Sequence, residues 1–170
     1  MQERLVVLGA GESGIGAAIL AKKQGFDVFL SDKKSISEEL KGFLNKEAIK
    51  WESGKHTLES MKDARLVIKS PGIPDSISLL DALRKQGSSI LSEIEFASHY
   101  TNATLIGITG TNGKTTTTML TYEILKNAGL NVGLAGNIGT SFARQVAQEQ
   151  FDYYVLEISS FQLDNIHDFA

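Results

Sequence analysis

Residues 109–116 read Thr-Gly-Thr-Asn-Gly-Lys-Thr-Thr, an order that suits the binding of nucleotide phosphates. An apolar run precedes this segment and a helical pattern begins at Lys114, so the loop joins a strand to a helix. Glycines let backbone N–H groups surround phosphate oxygens, and the helix N-terminus adds a favourable dipole. Lys114 offers a positive charge to the β- and γ-phosphates, and the Thr115 hydroxyl is placed to bind Mg²⁺. The predicted ATP-binding residues are Gly110, Thr111, Asn112, Gly113, Lys114, Thr115 and Thr116, with Lys114 as the catalytic residue.

This loop is a short form of the phosphate-binding motif, because Ile108 occupies the position of the usual first glycine. The competing interpretation is a Gly- and Thr-rich turn that caps a helix and leaves Lys114 in solvent. The order of strand, glycine loop, lysine, hydroxyl and helix favours the phosphate site.

A second glycine motif, Gly9-Ala10-Gly11-Glu12-Ser13-Gly14, also follows an apolar run and precedes a helical pattern. Asp32 closes the next apolar run, which is typical of a dinucleotide site whose acid binds a ribose hydroxyl. Glu12 would lie close to a pyrophosphate, which is unfavourable for NAD. A uridine diphosphate group uses the same loop geometry, and a tight strand-to-helix turn would also account for the glycines. The motif alone leaves these three interpretations open.

Alternating strands and helices position both loops. Helices are predicted over Ile15–Gln24, which ends before Gly25, and over about Lys114–Asn127, where Leu120 and Ile124 lie one turn apart. This alternation predicts parallel sheets covered by helices. The predicted strands are Arg4–Leu8, Asp27–Leu30, Arg65–Lys69, Ser89–Leu91, Thr104–Thr109, Asn131–Leu134 and Tyr153–Ile158.

The strand–loop–helix pattern restarts near residue 104, so the chain divides into two units. We predict an α/β protein: a Rossmann-like parallel-sheet domain over residues 1–92, a linker over 93–103, and an incomplete P-loop α/β domain over 104–170. The second unit is short for a nucleotide-binding sheet and the chain ends without a closing element. We therefore expect the sequence to be part of a longer protein and to be inactive alone.

Composition excludes several other classes of protein. The chain is 42% hydrophobic and 22% charged, with a net charge of −3, which does not indicate a nucleic-acid binder. It has no cysteine, so disulfides and thiolate metal sites are excluded. No apolar run is long enough to span a bilayer, and the start of the chain does not resemble a signal peptide. We expect a cytoplasmic protein without membrane insertion.

Four segments spread along the chain resemble the Mur ligase family. The loop Thr109–Thr116 resembles the ATP loop of that family and of its folylpolyglutamate synthetase relatives, and Ser70–Pro74 resembles a turn of the family's UDP-binding domain. Gly136–Gly139 resembles the segment that meets the sugar-peptide substrate. Leu156–Leu163, which reads Leu-Glu-Ile-Ser-Ser-Phe-Gln-Leu, is similar to the strand end of the D-glutamate-adding member.

The resemblance implies an ATP-dependent ligase of peptidoglycan synthesis. ATP would phosphorylate the carboxylate of UDP-N-acetylmuramoyl-L-alanine, and the amine of D-glutamate would displace the phosphate to form an amide. The cofactors implied are ATP and Mg²⁺, with Thr115 and Glu157 as metal ligands and a monomeric full-length protein. The residues implied to bind the UDP-substrate are Gly11, Ser13, Asp32, Lys33, Gly72 and Asn137.

Another amide ligase of the Mur and folylpolyglutamate synthetase superfamily is an alternative within the same class, and two alternatives from other classes also remain open. An NAD-dependent oxidoreductase would explain Gly9–Gly14 and Asp32, but it leaves the second glycine loop without a role. A non-enzymatic P-loop binding protein would hold ATP without needing Asn137. Glu93 and Glu95 suggest a carboxylate pair, but Ser92…Glu95 is better interpreted as a helix-capping box, as is Ser35…Glu38.

Overall fold

The N-terminal part of the chain forms a five-stranded parallel sheet in the computed structural model, which describes residues 2–163, 166 and 169. The strand order is β3-β2-β1-β4-β5, so the order reverses between β1 and β4. Ligands of such sheets bind outside the carboxyl ends of the strands at this switch point. The elements are β1 (Arg4–Leu8), α1 (Glu12–Lys23), β2 (Asp27–Asp32), α2 (Glu38–Lys46), β3 (Lys50–Ser53), a 3-10 helix (Leu58–Met61), β4 (Leu66–Lys69), α3 (Ser78–Lys85) and β5 (Ser89–Ser92).

The central strand β1 is apolar along its length because both faces of this sheet are covered. Leu5 and Val7 pack into one hydrophobic cluster, and Val6 and Leu8 pack into the other. All four side chains are fully buried. A continuous apolar run, instead of an alternating one, is the pattern of a parallel strand buried on both faces.

The rest of the chain forms a second, three-stranded parallel sheet in the order β6-β8-β7. Helix α6 (Phe142–Gln148) packs against α1 of the first sheet and against α4 (Glu93–Ser98), which follows β5. The elements are α4 (Glu93–Ser98), β6 (Thr104–Ile108), α5 (Lys114–Asn127), β7 (Val132–Gly136), α6 (Phe142–Gln148), β8 (Tyr153–Glu157) and α7 (Ser160–Leu163).

The structure confirms the predicted α/β class with parallel sheets, and every predicted strand is present to within two residues at either end. Strand β3 was not predicted, because its residues are polar and it lies at the sheet edge beside β2. Helix α1 begins at Glu12 instead of Ile15, because Gly11 is already its N-cap. The predicted linker contains the buried helix α4; the division into domains at residues 92 and 104 stays a prediction.

One local expectation is corrected. The N-cap of α2 is Ser37, whose hydroxyl accepts from Leu40 N at 3.2 Å, so the capping box proposed for Ser35 is wrong. Leu120 and Ile124 are each 59% exposed, so the apolar face of α5 does not lie against the core of the described residues. The capping role of Ser92 is confirmed, since its hydroxyl accepts from the N–H of Glu95 at 3.1 Å. In the part of the chain that the structure describes, no helix has the length and apolar character needed to cross a bilayer.

Candidate functional site

The loop between β6 and α5 presents its backbone at the N-terminus of a fourteen-residue helix. Gly113, the N-cap, has φ of 75°, a backbone conformation that favours glycine. Lys114 begins the helix, and its Nζ donates to the carbonyl of Gly110 at 2.7 Å. An ammonium has three donors, so this bond leaves two for phosphate oxygens. Thr115 and Thr116 follow in the first turn with exposed side chains.

Glu157 ends the neighbouring strand β8, where its Cα pairs in register with Ile108, the last residue before the loop. Its carboxylate is only 2% exposed. One oxygen, Oε1, accepts from the Asn137 side-chain amide at 2.9 Å, whereas Oε2 is buried with no hydrogen-bond partner in the described residues. A buried charge without a partner is costly, so this oxygen is suited to a bound cation.

The described residues hold no cluster of three or more His, Cys, Asp or Glu side chains arranged for a metal. Mg²⁺ does not need such a cluster, because it commonly binds one or two carboxylates together with substrate phosphates and water. The orphaned Oε2 of Glu157 and the hydroxyl of Thr115 at the helix start are donors of this kind. These two residues therefore fit the group predicted from the sequence.

The first glycine loop is a tight turn between β1 and α1. A Cβ at Gly14 would lie 1.9 Å from the carbonyl oxygen of Gly9, so only glycine fits there. Asp32, at the end of β2, binds this turn through its Oδ2, which accepts from Ala10 N at 2.6 Å. Its Oδ1 accepts from Lys34 N at 2.7 Å, just beyond β2. Asp32 therefore fixes the loop's position relative to β2.

The turn after β4 lies on the other side of the switch point. The hydroxyl of Ser70 is buried without a hydrogen-bond partner in the described residues, and it lies where a Cβ of Gly9 would stand. Lys69 is 3% exposed, and its Nζ donates to the carbonyl of Ile73 at 2.8 Å. This bond holds the turn that presents Gly72 to solvent.

The structure thus groups the predicted residues into two sets. Gly11, Ser13, Asp32 and Gly72 lie at the carboxyl ends of β1, β2 and β4, and Lys33 is exposed just beyond β2. The ATP-loop residues, Glu157 and Asn137 lie at the carboxyl ends of β6, β8 and β7. Asn137, predicted to meet the substrate, is placed by its amide against Glu157 and not against the first loop.

The contacts that join these sets were not predicted from the sequence. Arg144, on α6, donates to both carboxylate oxygens of Glu12, from Nε to Oε1 at 2.8 Å and from Nη2 to Oε2 at 3.0 Å. Glu93 is 2% exposed and its Oε1 accepts from Ala143 N at 2.5 Å, at the N-terminus of α6. Glu12 was noted in the sequence as a charge inside a glycine loop, but its partner lies 132 residues away.

Burial raises the pKa of Glu93 to about 7 from an ordinary value of 4.5; the charge of Glu12 adds to this and the hydrogen bond from Ala143 opposes it. The folded state therefore holds this proton more tightly than the unfolded chain does, and its stability falls as pH rises from about 4.5 to about 7.

We expect Glu93→Gln to remove this pH dependence. The difference in unfolding free energy, variant minus parent, should rise across that window by up to about 3 kcal/mol and then level off. Urea unfolding of both proteins at several pH values measures it. A difference that stays flat from pH 4.5 to 8 would show that Glu93 keeps an ordinary pKa in the folded protein.

Comparison with known proteins adds independent findings. A family model described as the MurD N-terminal domain matches residues 4–78, and one described as the Mur ligase middle domain matches residues 108–170. A UDP-N-acetylmuramoylalanine–D-glutamate ligase from Bacteroides fragilis is 60% identical over 167 residues, which are 98% of this chain and 38% of that relative. The corresponding ligase of Bacteroides thetaiotaomicron is 58% identical, with the same coverage of 98% and 38%.

A solved structure shows the same relationship at greater distance. The pseudomurein peptide ligase type C of Methanothermus fervidus is 32% identical, with a TM-score of 0.56, and the match covers 94% of this chain and 33% of that protein. The chain thus spans well under half the length of the relatives it matches. The family resemblance predicted from the sequence is confirmed: the two models match in family order on the two units of the fold, and the chain belongs to the Mur ligase family.

Proposed function

We propose that this chain is the nucleotide-handling front part of an ATP-dependent ligase that adds D-glutamate to UDP-N-acetylmuramoyl-L-alanine. The observation that carries the proposal is the carboxylate of Glu157, buried beside the ATP loop with one oxygen that has no partner in the described residues. The names of the 60% and 58% identical relatives support the choice of substrates. An NAD-dependent oxidoreductase would have no use for this second site.

The residues suit a reaction that depends on positioning and charge neutralisation. The acceptor carboxylate attacks the γ-phosphorus of ATP, ADP leaves, and the acyl phosphate so formed is attacked by the amine of D-glutamate, releasing phosphate. Lys114 neutralises the charge on the phosphates, and the backbone N–H groups of the loop hold them. Bound Mg²⁺, held by Thr115 and Glu157, would neutralise further phosphate charge.

The first unit would hold the nucleotide end of the acceptor. Gly11 and Ser13 lie at the start of α1, where backbone N–H groups and the helix dipole favour an anion. Asp32 and Lys33 would lie at the uridine end, Gly72 in the opposite turn, and Asn137 at the muramoyl part. We assign no residue of this chain to D-glutamate. A monomeric full-length protein in the cytoplasm belongs to the same proposal, and inactivity of the 170 residues alone stays a prediction.

Titration calorimetry distinguishes the two nucleotide classes. A full-length protein carrying this sequence should bind UDP-N-acetylmuramoyl-L-alanine and show no heat with NAD. Asp32→Ala should weaken binding of the UDP-substrate by tenfold or more, because the loop loses the hydrogen bond from Ala10 N to the Asp32 carboxylate, and a hydrogen bond to a charged group is worth about 1.5–3 kcal/mol. Asp32→Asn keeps one accepting oxygen, so its affinity for the UDP-substrate should lie between those of the parent and of Asp32→Ala. Binding of NAD without the UDP-substrate would refute the proposal.

A further inference from the structure

The ion pair between Glu12 and Arg144 connects the first glycine loop to the second unit. Arg144 donates to both oxygens of the Glu12 carboxylate from two N–H groups. The backbone N–H of Ser141 donates to one of these oxygens, Oε1, at 3.3 Å. The side chain of Arg144 is 26% exposed and that of Glu12 is 50% exposed. A two-donor contact of this kind holds both side chains in a defined orientation.

Helix α6, which carries Arg144, is fixed closely against α1. A Cβ at Gly16 would lie 2.0 Å from the hydroxyl of Ser141, so the two helices can approach this closely only at a glycine. Glu93 accepts from the N-terminus of α6, and Lys23 donates to the carbonyl of Ala147 in its last turn. Since one end of α6 is held by Glu93 of α4 and the other by Lys23 of α1, Arg144 has a fixed position at the glycine loop.

Two cavities meet at this ion pair. One, of about 340 Å³, lies between the glycine loop and α2 and is lined by Gly11, Leu40 and Phe43 together with Glu12 and Arg144. The other, of about 380 Å³, is lined by Glu12, Arg144, Gly139 and Thr140, at the end of the segment that follows β7. A ligand that joins a nucleoside to a sugar through a diphosphate would pass from one to the other beside Glu12 and Arg144.

A carboxylate at this point opposes an anionic ligand. Glu12 is the first residue of α1, where the helix N-terminus would otherwise attract a diphosphate. The Glu12 side chain is half exposed, so water screens part of this repulsion, and the expected effect is that of one charge pair near the surface. Among the described residues, the guanidinium of Arg144 is the cation that pairs with the Glu12 carboxylate.

We propose that Arg144 is a positioning residue for substrate binding: it neutralises Glu12 and so makes the first glycine loop able to accept the diphosphate of the nucleotide substrate. This inference rests on the proposed function, since it takes a nucleoside diphosphate sugar as the ligand. It adds Arg144, a residue of the second unit, to the surroundings of the first glycine loop. Loss of Arg144 therefore weakens binding through the charge that it leaves on Glu12.

A double-mutant cycle tests this in a full-length protein carrying the sequence, with calorimetric titration of UDP-N-acetylmuramoyl-L-alanine and competition by uridine. We expect Arg144→Ala to weaken binding of the UDP-substrate by about tenfold. This factor corresponds to about 1.4 kcal/mol, the size of one charge–charge contact. The affinity for uridine, which lacks the diphosphate, should change by less than threefold. Arg144→Lys, which keeps the charge, should retain most of the affinity.

The double variant separates neutralisation from a purely structural link. When Glu12→Gln is added to Arg144→Ala, the affinity for the UDP-substrate should recover to within about threefold of the parent, because no charge is left to oppose the diphosphate. A structural link would be broken in both variants alike, so recovery would not occur. Glu12→Gln alone should bind a few-fold more tightly than the parent.

Each other result counts against a specific statement. If the parent binds the UDP-substrate and Arg144→Ala binds equally well, or if the double variant stays as weak as Arg144→Ala, the role of Arg144 is wrong while the proposed function stands. If the parent binds no uridine diphosphate ligand at all, the proposed function fails and this inference fails with it. Thermal unfolding of each variant, run in parallel, ensures that a folded protein is titrated.

Discussion

Lys114→Ala in a full-length protein carrying this sequence is expected to lower kcat/KM for ATP by about 10²–10³, the effect of losing one preorganised charged donor to a developing anion. The side chain lies at the first position of α5, where its ammonium is already held over the loop by the carbonyl of Gly110. Alanine keeps the helix start and removes the charge. Steady-state ADP release, measured with saturating acceptor and amine, gives the ratio.

Two matched variants make this result specific. Lys126→Ala removes a lysine from the last turn of the same helix, where it contacts the Tyr122 ring, and should leave activity within about twofold. Lys114→Arg keeps the charge but changes the shape, since a guanidinium cannot replace a compact ammonium in a tight phosphate loop, and should stay well below the parent. Near-parental turnover of Lys114→Ala would remove this residue from the catalytic site.

Glu157→Gln is expected to reduce turnover by about 10²–10³, because a metal that neutralises phosphate charge contributes several kcal/mol to the transition state. The change is close to isosteric, and the remaining oxygen can still accept from the Asn137 amide. Stability should not fall, since the variant removes a buried charge whose Oε2 has no partner in the described residues. The variant should also need more Mg²⁺ to reach half of its own maximal rate.

Activity as a function of Mg²⁺ concentration and thermal unfolding together test this assignment. Glu149→Gln, an exposed acid at the end of α6, serves as the control and should change neither. A Glu157→Gln variant with the parental rate and the parental Mg²⁺ requirement would show that the carboxylate has a structural role only. An inactive variant that also unfolds at a lower temperature than the parent would likewise indicate a structural role for this carboxylate.

Local chemistry in the sequence was enough to predict both loops and most strands. The start of α5 at Lys114 and strand β1 were predicted with the bounds that the structure shows. A phosphate loop needs glycines, a hydroxyl and a helix start next to one another in the sequence. Both loops, Gly9–Gly14 and Gly110–Thr116, could therefore be recognised from consecutive residues. The buried strands are apolar runs that need no knowledge of their neighbours.

Contacts between distant residues could not be predicted in this way. Arg144 has no unusual neighbours in the sequence, and its role follows only from α6 packing on α1 across Gly16. Glu93 was weighed as a catalytic carboxylate, yet it binds the N-terminus of α6 through a fold that brings residues 50 positions apart together. Edge strand β3 is set by pairing with β2, which the polar sequence Lys-Trp-Glu-Ser does not reveal.

Product formation tests the central claim most directly. A full-length protein carrying this sequence is incubated with UDP-N-acetylmuramoyl-L-alanine, D-glutamate, ATP and Mg²⁺, and both released phosphate and the nucleotide-linked product are measured by chromatography and mass spectrometry. We expect one amide bond and one phosphate per ATP consumed, with neither formed when D-glutamate is omitted or L-glutamate replaces it. Amide formation without ATP hydrolysis, or ATP hydrolysis with no new amide under any of these conditions, would contradict the central claim.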